Sequence, residues 1–213
     1  TVNNRLKSLQ SLVTQTSADI TALQELQPFL EVITKSDFSK YQNLIKLIQS
    51  DWNWKGKESG DRIVIFTGRR ETQRFLKKNL ADDLGMKDGA VVAIDGSMQD
   101  VLLNDVVEKF AQEKSELRIL IATEVVSEGI NLHYLCHRLV HFDIPWSLMT
   151  LQQRNGRIDR YGQQEQPKIR YLLTQSCSEG MGDADKILRL LINKDQQAQQ
   201  NIGDPSVFLR VFD

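Results

Sequence analysis

The residues best placed to do chemistry form one run, Gln153-Arg154-Asn155-Gly156-Arg157-Ile158-Asp159-Arg160-Tyr161-Gly162-Gln163. On a helix spanning Leu148 to Tyr161, Gln153, Gly156, Arg157 and Arg160 fall at i, i+3, i+4 and i+7 and share one face. Arg154, Arg157 and Arg160 then follow one another at three-residue intervals, and Asp159 is not three or four residues from any of them. Like charges at that spacing cost a few tenths of a kcal/mol per pair, and a mid-helix glycine costs about 1 kcal/mol against alanine. A helix carrying both penalties serves something outside itself. An anion seated closely over Gly156 accounts for both, and a nucleotide phosphate is the natural candidate. The bland alternative is a solvated basic face.

Other residue groups suggest weaker chemistry. His133, His137 and His141 are four apart with Cys136 among them, a composition that zinc accepts. A turn at Asn131-Leu132 followed by a strand gives no single helix to align them, so structural histidines are the reading adopted. Trp52 and Trp54 beside Lys55 and Lys57 could stack on bases, although packing at a helix end explains them as well. Ser127 and Asp143 with a histidine suggest a hydrolase, but no nucleophile elbow surrounds any serine.

The elements that must position these groups follow from apolar spacing. Residues 1 to about 50 predict helices: Leu6, Leu9, Val13, Ile20, Leu23 and Leu26 form one stripe, Pro28 interrupts it, and Tyr41, Leu44, Ile45 and Ile48 form a second. Asp51 to Asp61 predicts a loop. Short runs rich in valine and isoleucine predict strands at Arg62–Thr67, Ala90–Asp95, Leu117–Ala122, Arg138–Asp143 and Lys168–Thr174. They are nearly continuous, as strands covered on both faces should be. Helices are predicted between most of them, over Glu71–Leu84, Val101–Gln112 and Leu148–Tyr161, with a last one over Gly182–Gln199 before a short tail. Strand alternating with helix implies an α/β fold with an open parallel sheet. Its ligands should bind beyond the carboxyl ends of the strands. The organisation expected is a helical extension over 1–54, a sheet domain over 55–176, and a C-terminal helix and tail over 177–213.

Bulk properties narrow the class. The 213 residues are 40% hydrophobic and 26% charged, as in an ordinary globular domain, and the net charge of −1 confines any nucleic-acid surface to a local stripe. Two cysteines, Cys136 and Cys177, are too few for a disulfide framework. No run of about 18 apolar residues and no signal-peptide core occurs, so no membrane partner is expected and a cytoplasmic location is the default, nucleoid-associated if bacterial. The chain starts at Thr1, which suggests excision from something longer.

Three segments decide the family. Ile119-Leu120-Ile121-Ala122-Thr123-Glu124-Val125-Val126-Ser127-Glu128-Gly129-Ile130-Asn131-Leu132 runs from a buried strand into a glycine turn. Leu139-Val140-His141-Phe142-Asp143-Ile144-Pro145-Trp146 makes another strand closed by proline. With Arg62-Ile63-Val64-Ile65-Phe66-Thr67 and the arginine run, these resemble motifs IV, V and VI of superfamily-two helicases. Within that superfamily they look most like the second, C-terminal RecA-like lobe of SWI/SNF-type ATPases, including their bacterial RNA-polymerase-associated branch. The resemblance covers about Lys40 to Thr174 and implies a RecA-like open parallel sheet with helices on both faces, plus an N-terminal helical extension.

The resemblance also implies roles. Arg157 and Arg160 match the catalytic arginines that reach across an interlobe cleft to the β/γ-phosphates of ATP. Gln153 matches a glutamine that helps order the same cleft, and Glu128, Gly129 and Asn131 match the turn near the ribose and the lobe interface; Gly156 joins this nucleotide site as the point of close approach read from the helix. Thr67, Gly68, Gly96, Ser97 and Thr123 match strand-end positions that hold a nucleic-acid backbone, double-stranded DNA in this class with RNA as the alternative. Strand-end hydroxyls and turn amides suit that task, because they grip phosphates without reading sequence. Two departures stand at that corner: Leu103 replaces a usual arginine, and Thr123-Glu124 replaces Thr-Asp. No Gly-x-x-x-x-Gly-Lys-Ser/Thr loop and no acidic box for magnesium occurs. In the family those belong to the first lobe, which would be this chain's partner within the same parent protein and would hold Mg2+. The chain alone should therefore neither bind ATP well nor hydrolyse it. Two other readings remain open: a strand-separating helicase lobe, and a non-catalytic regulatory or binding module on the same fold.

Overall fold

The computed structural model describes residues 17–58, 60–123, 130–174 and 188–193. It divides into two compact units, 1–43 and 44–213. In the first, helix α1 (Ser17–Glu31) continues through Pro28 rather than stopping there. The proline sits in the last turn and removes one bond, to the carbonyl of the exposed Gln24, which water can satisfy. Helix α2 (Ser39–Lys46) crosses the boundary between the units, and Tyr41 and Leu44 on it are buried.

A single π-helical turn over Leu47–Asp51 follows α2, closed by Trp52 N–H donating to the Leu47 carbonyl at 3.0 Å. The wider turn buries Leu47 and Ile48 together, a feature that the apolar stripe of residues 41–48 does not announce. Trp54 is buried with Nε1 donating to the Asp61 carbonyl at 3.3 Å, and Trp52 lies under the Arg138 guanidinium. Both tryptophans therefore pack inward.

The second unit holds a five-stranded parallel sheet, in the order β2-β3-β1-β4-β5, made of β1 (Arg62–Phe66), β2 (Val91–Ile94), β3 (Ile119–Ala122), β4 (Cys136–His141) and β5 (Lys168–Tyr171). Helices α3 (Arg70–Asp83), α4 (Asp100–Ala111) and α5 (Leu148–Asn155) lie in the connections. All five predicted strands form, within one to three residues at each end, the largest difference being β5, which ends at Tyr171 rather than Thr174. β1 and β3 are buried along their whole length, as continuous apolar runs require. β5 is not: it alternates exposed and half-buried positions as the sheet's last strand. Its sequence Lys168-Ile169-Arg170-Tyr171 already alternates, so the expectation of cover on both faces fails there for a legible reason.

Val64, Phe66, Leu120, Ala122 and Leu139 face one core cluster with Phe110 of α4 and Ile158. On α3, which contacts β2 and β3, Gln73 is buried and donates Nε2 to the carbonyls of Ile94 (2.7 Å) and Ile121 (3.0 Å). One side chain thus spans two neighbouring strands near their carboxyl ends. Gln73→Ala leaves both acceptors without that donor, so a loss of about 1–3 kcal/mol is expected by denaturant unfolding. Wild-type stability in this variant would show that the bonds are dispensable.

Candidate active site and nucleic-acid rim

The predicted helix from Leu148 to Tyr161 ends early, at Asn155. Gly156 is its C-cap, with Gly156 N–H on the Gln152 carbonyl at 2.8 Å, and residues 157–163 form turns. Gln153, Gly156, Arg157 and Arg160 therefore do not share a helical face. A Cβ on Gly156 would stand 3.2 Å from the Gln152 carbonyl oxygen. The close approach at this glycine is made by the protein's own backbone, which explains it without a ligand.

Arg154 is fully buried rather than part of an exposed arginine row. Leu151, Arg154 and Ile158 are all buried at three- and four-residue spacing, so the arginine occupies a core position. Its Nη1 donates to the Asp143 carbonyl at 3.0 Å and lies 3.4 Å from His141 Nδ1, and its guanidinium covers the Phe66 ring. An arginine can only donate, so Nδ1 must be the acceptor and His141 must carry its proton on Nε2. Nε2 then donates to Asn155 Oδ1 at 2.8 Å, while the ring stacks on Tyr171 at 4.7 Å. Asn155, the last residue of α5, is thereby pinned to β4.

Burial, opposed by the Asn155 bond and reinforced by the Arg154 charge, pushes the His141 pKa down to about 3. The unfolded chain takes up this proton near pH 6.5, whereas the folded chain resists it until about pH 3. Stability is therefore fully present above pH 6.5 and declines as pH falls towards 3, by up to about 1.4 kcal/mol per pH unit. Chemical denaturation between pH 7 and 4.5 should show this slope, and His141→Gln should flatten it. An unchanged slope in that variant would assign the acid sensitivity elsewhere.

After Gly156 the chain is fastened to the segment that follows β3. Arg157, half-buried, donates Nη1 to the Ile130 carbonyl at 3.1 Å, and its own carbonyl accepts Leu132 N–H at 3.2 Å. Arg160 is exposed and donates Nη1 to Asn131 Oδ1, and it meets no carboxylate among the described residues. Gln163 closes the loop, with Nε2 on the carbonyls of Cys136 and Ile158, each at 3.0 Å. The structure thus brings Asn131, Arg157 and Arg160 together. Gln153 is half-buried one turn away on α5, and Glu128 and Gly129 lie outside the described residues.

The strand-end residues form a second group. Thr67 N–H bonds to the Ala122 carbonyl and Thr123 N–H to the Ile94 carbonyl, so Thr67, Thr123 and the Asp95–Ser97 turn succeed one another along one rim. Thr67 is buried, and its hydroxyl donates to Asp143 Oδ2 at 2.6 Å; Gly68 N–H reaches the same oxygen at 3.3 Å. A phosphate contact from the Thr67 hydroxyl would need that bond to open. Thr123 is also buried. Gly96 and Ser97 are exposed, with Ser97 donating both N–H and Oγ–H to Asp95 Oδ1. These bonds, chiefly that of the Ser97 hydroxyl, hold the Asp95 carboxyl below its usual range, and Arg70 lies 3.6 Å away. Sequence reasoning passed over Arg69 and Arg70, exposed directly after Gly68, and over Asp143 as the clasp between β1 and β4.

The histidines do not converge on one point. His133 stacks on Tyr134 and lies beneath Gly162, away from the His141 network. Burial pushes the Cys136 thiol up to about 12, and it donates to the Arg62 carbonyl at 3.4 Å.

Residues 39–162 match the helicase conserved C-terminal domain. The chain belongs to that family. It is 31% identical over 152 residues to the uncharacterized ATP-dependent helicase YqhH of Bacillus subtilis, covering 70% of this chain and 24% of that protein. It is 36% identical over 115 residues to the RNA polymerase-associated protein RapA of Vibrio parahaemolyticus, covering 52% of this chain and 12% of that protein. The chain thus spans a quarter or less of either relative. Among solved structures, the C-terminal part of the Fun30 ATPase domain aligns with a TM-score of 0.57 at 19% identity, over 85% of this chain and 56% of that one. A DEAD box protein from Methanococcus jannaschii aligns at 0.55 and 22%, over 74% and 37%. The fold is that of the second RecA-like lobe in helicases, related in sequence to SNF2-type members. No helix among the described residues is long and apolar enough to cross a membrane.

Proposed function

We propose that this helicase C-terminal lobe is the arginine-bearing half of an ATP-driven translocase of the SWI/SNF type, acting on duplex DNA. The observation that carries the reading is Arg160: exposed, uncompensated by any carboxylate among the described residues, and held by Asn131 beside Arg157. Two guanidiniums so placed suit the γ-phosphate of an ATP gripped by a first lobe, with magnesium on that lobe. ATP would supply the driving reaction. This chain's residues would orient the phosphoryl oxygens and neutralise their developing charge, and they would withdraw when the lobes part. Neither a phosphate loop nor an acidic box is present in the sequence, so the chain alone is expected to turn over no ATP.

The exposed Gly96-Ser97 turn and Arg69, with Thr67, Gly68 and Thr123 beside them on the rim, would supply the backbone track. Contacts of that kind predict strong salt dependence and little sequence preference. The test is ATP turnover by the full-length parent with and without double-stranded DNA, single-stranded DNA and RNA. Stimulation by duplex DNA supports the proposal. The word helicase in the name of the YqhH relative keeps strand separation as the second reading, and unwinding of a tailed duplex would favour it. A parent protein lacking a phosphate-loop lysine would refute both.

A further inference from the structure

The opposite edge of the sheet carries a feature that none of this uses. The amino ends of β1, β3 and β2 are tied together by Ile63 N–H on the Arg118 carbonyl and Arg118 and Ile119 N–H on the Ala90 carbonyl. Beside them opens a cavity of about 280 Å3, lined by Lys55, Lys57, Lys87 and Arg118 against the single carboxylate of Glu116. That is an excess of three positive charges in a chain whose net charge is −1. Lys87 shares Glu116 at 3.1 Å, but Lys55 and Lys57 meet no carboxylate among the described residues.

Arg118 gives the cavity a fixed cation. Its Nε donates to the Gly56 carbonyl at 3.0 Å, and Nη1 to the carbonyls of Ser115 and Leu117. Three bonds hold the guanidinium in place and leave Nη2 uncommitted among the described residues. Gly56 can present its carbonyl this way because it sits at φ +62, where a Cβ would meet both Met86 and Trp54 at 3.0 Å. The carbonyl end of α3 nearby is muted by bonds from Leu84, Gly85 and Met86 N–H.

A second cation is coupled to the first. Arg62 is fully buried; Nη2 reaches the Gln112 carbonyl and the guanidinium lies 5.5 Å over the Phe110 ring, while Nε and Nη1 have no hydrogen-bond partner among the described residues. Burial, and then repulsion from Arg118, lower its pKa to about 10, so the two guanidiniums feel each other. A buried positive charge coupled to the cation in the cavity wall adds to the positive potential there, which an anion entering the cavity lowers. A cavity of this size suits a small ligand rather than a folded partner.

We infer that the amino edge of this lobe is a binding site for a phosphate-bearing anion, gripped by Lys55, Lys57 and Arg118. It is separate from the ATP and nucleic-acid surfaces at the other end of the strands. The test titrates pyrophosphate into the chain at constant ionic strength and follows the backbone amide resonances of Gly56, Met86 and Arg118. Saturable shifts are expected there, absent with chloride and weakened about tenfold or more in Lys55→Glu/Lys57→Glu. Arg157→Ala/Arg160→Ala should leave them unchanged, which keeps the result independent of the proposed motor. Displacement of pyrophosphate by a short DNA duplex would identify the phosphate source as nucleic acid, and its persistence would identify a free phosphate ligand. No saturable shift, or shifts insensitive to the lysine substitutions, would overturn the site.

Discussion

Arg157→Ala or Arg160→Ala in the full-length parent should lower ATP turnover by about 10³- to 10⁵-fold, the range that arginine fingers supply in phosphoryl transfer. The expected loss is about 4–7 kcal/mol of transition-state stabilisation, seen in kcat more than in nucleotide affinity. The side chains differ in what else they do. Arg160 is exposed and its side chain bonds only to Asn131 among the described residues, so its truncation should leave the melting temperature within about a degree or two. Arg157 also donates to Ile130 and is half-buried, so a modest stability loss should accompany its kinetic effect. Arg160→Lys should not restore activity, because an ammonium lacks the planar fork that engages two phosphate oxygens. Near-normal DNA-stimulated turnover in Arg160→Ala would remove the observation on which the proposed motor rests.

Arg154→Ala should behave in the opposite way. Truncation empties a fully buried volume over Phe66 and strips the Asp143 carbonyl and His141 Nδ1 of their donor. A loss of about 3–5 kcal/mol is expected from the combined cavity and lost hydrogen bonds. At roughly 2–4 °C per kcal/mol for a chain of this size, melting should fall by about 6–20 °C. Arg154→Met keeps much of the volume but not the donors, and should recover part of the loss. Equal stability of wild type and Arg154→Ala by calorimetry would contradict the core role. On the proposed reading the three arginines of one motif divide between folding and chemistry, although their sequence spacing treats them alike.

That division marks how far the sequence could be read. The strands were legible because valine- and isoleucine-rich runs have few other uses, and their alternation with helices fixed a parallel sheet. The resemblance assigns Asn131 to a turn near the nucleotide ribose, and the structure puts its side chain against Arg160. The burial of Arg154 is not legible in this way, because counting charges hides a second pattern: Leu151, Arg154 and Ile158 continue an apolar stripe in which the arginine is an inside residue. In the sequence, Asp143 and His141 stand out only as members of a weak triad and a weak zinc set. Their partners, Thr67 and Arg154, are 76 and 13 residues away: the parallel register of β1 and β4 brings Thr67 to Asp143, and the packing of α5 brings Arg154 to His141. The cavity at the amino edge was equally hidden, since Lys55, Lys87 and Arg118 come from three separate connections.

One consequence follows from how Arg157 and Arg160 are moored. The backbone of Leu132, the carbonyl of Ile130 and the amide of Asn131 all bind the loop that bears them. Neither arginine can swing on its own without breaking those ties, so pulling on residues 130–132 drags both guanidiniums in step. Such a strut converts movement of a single connection into the simultaneous arrival or departure of two charges.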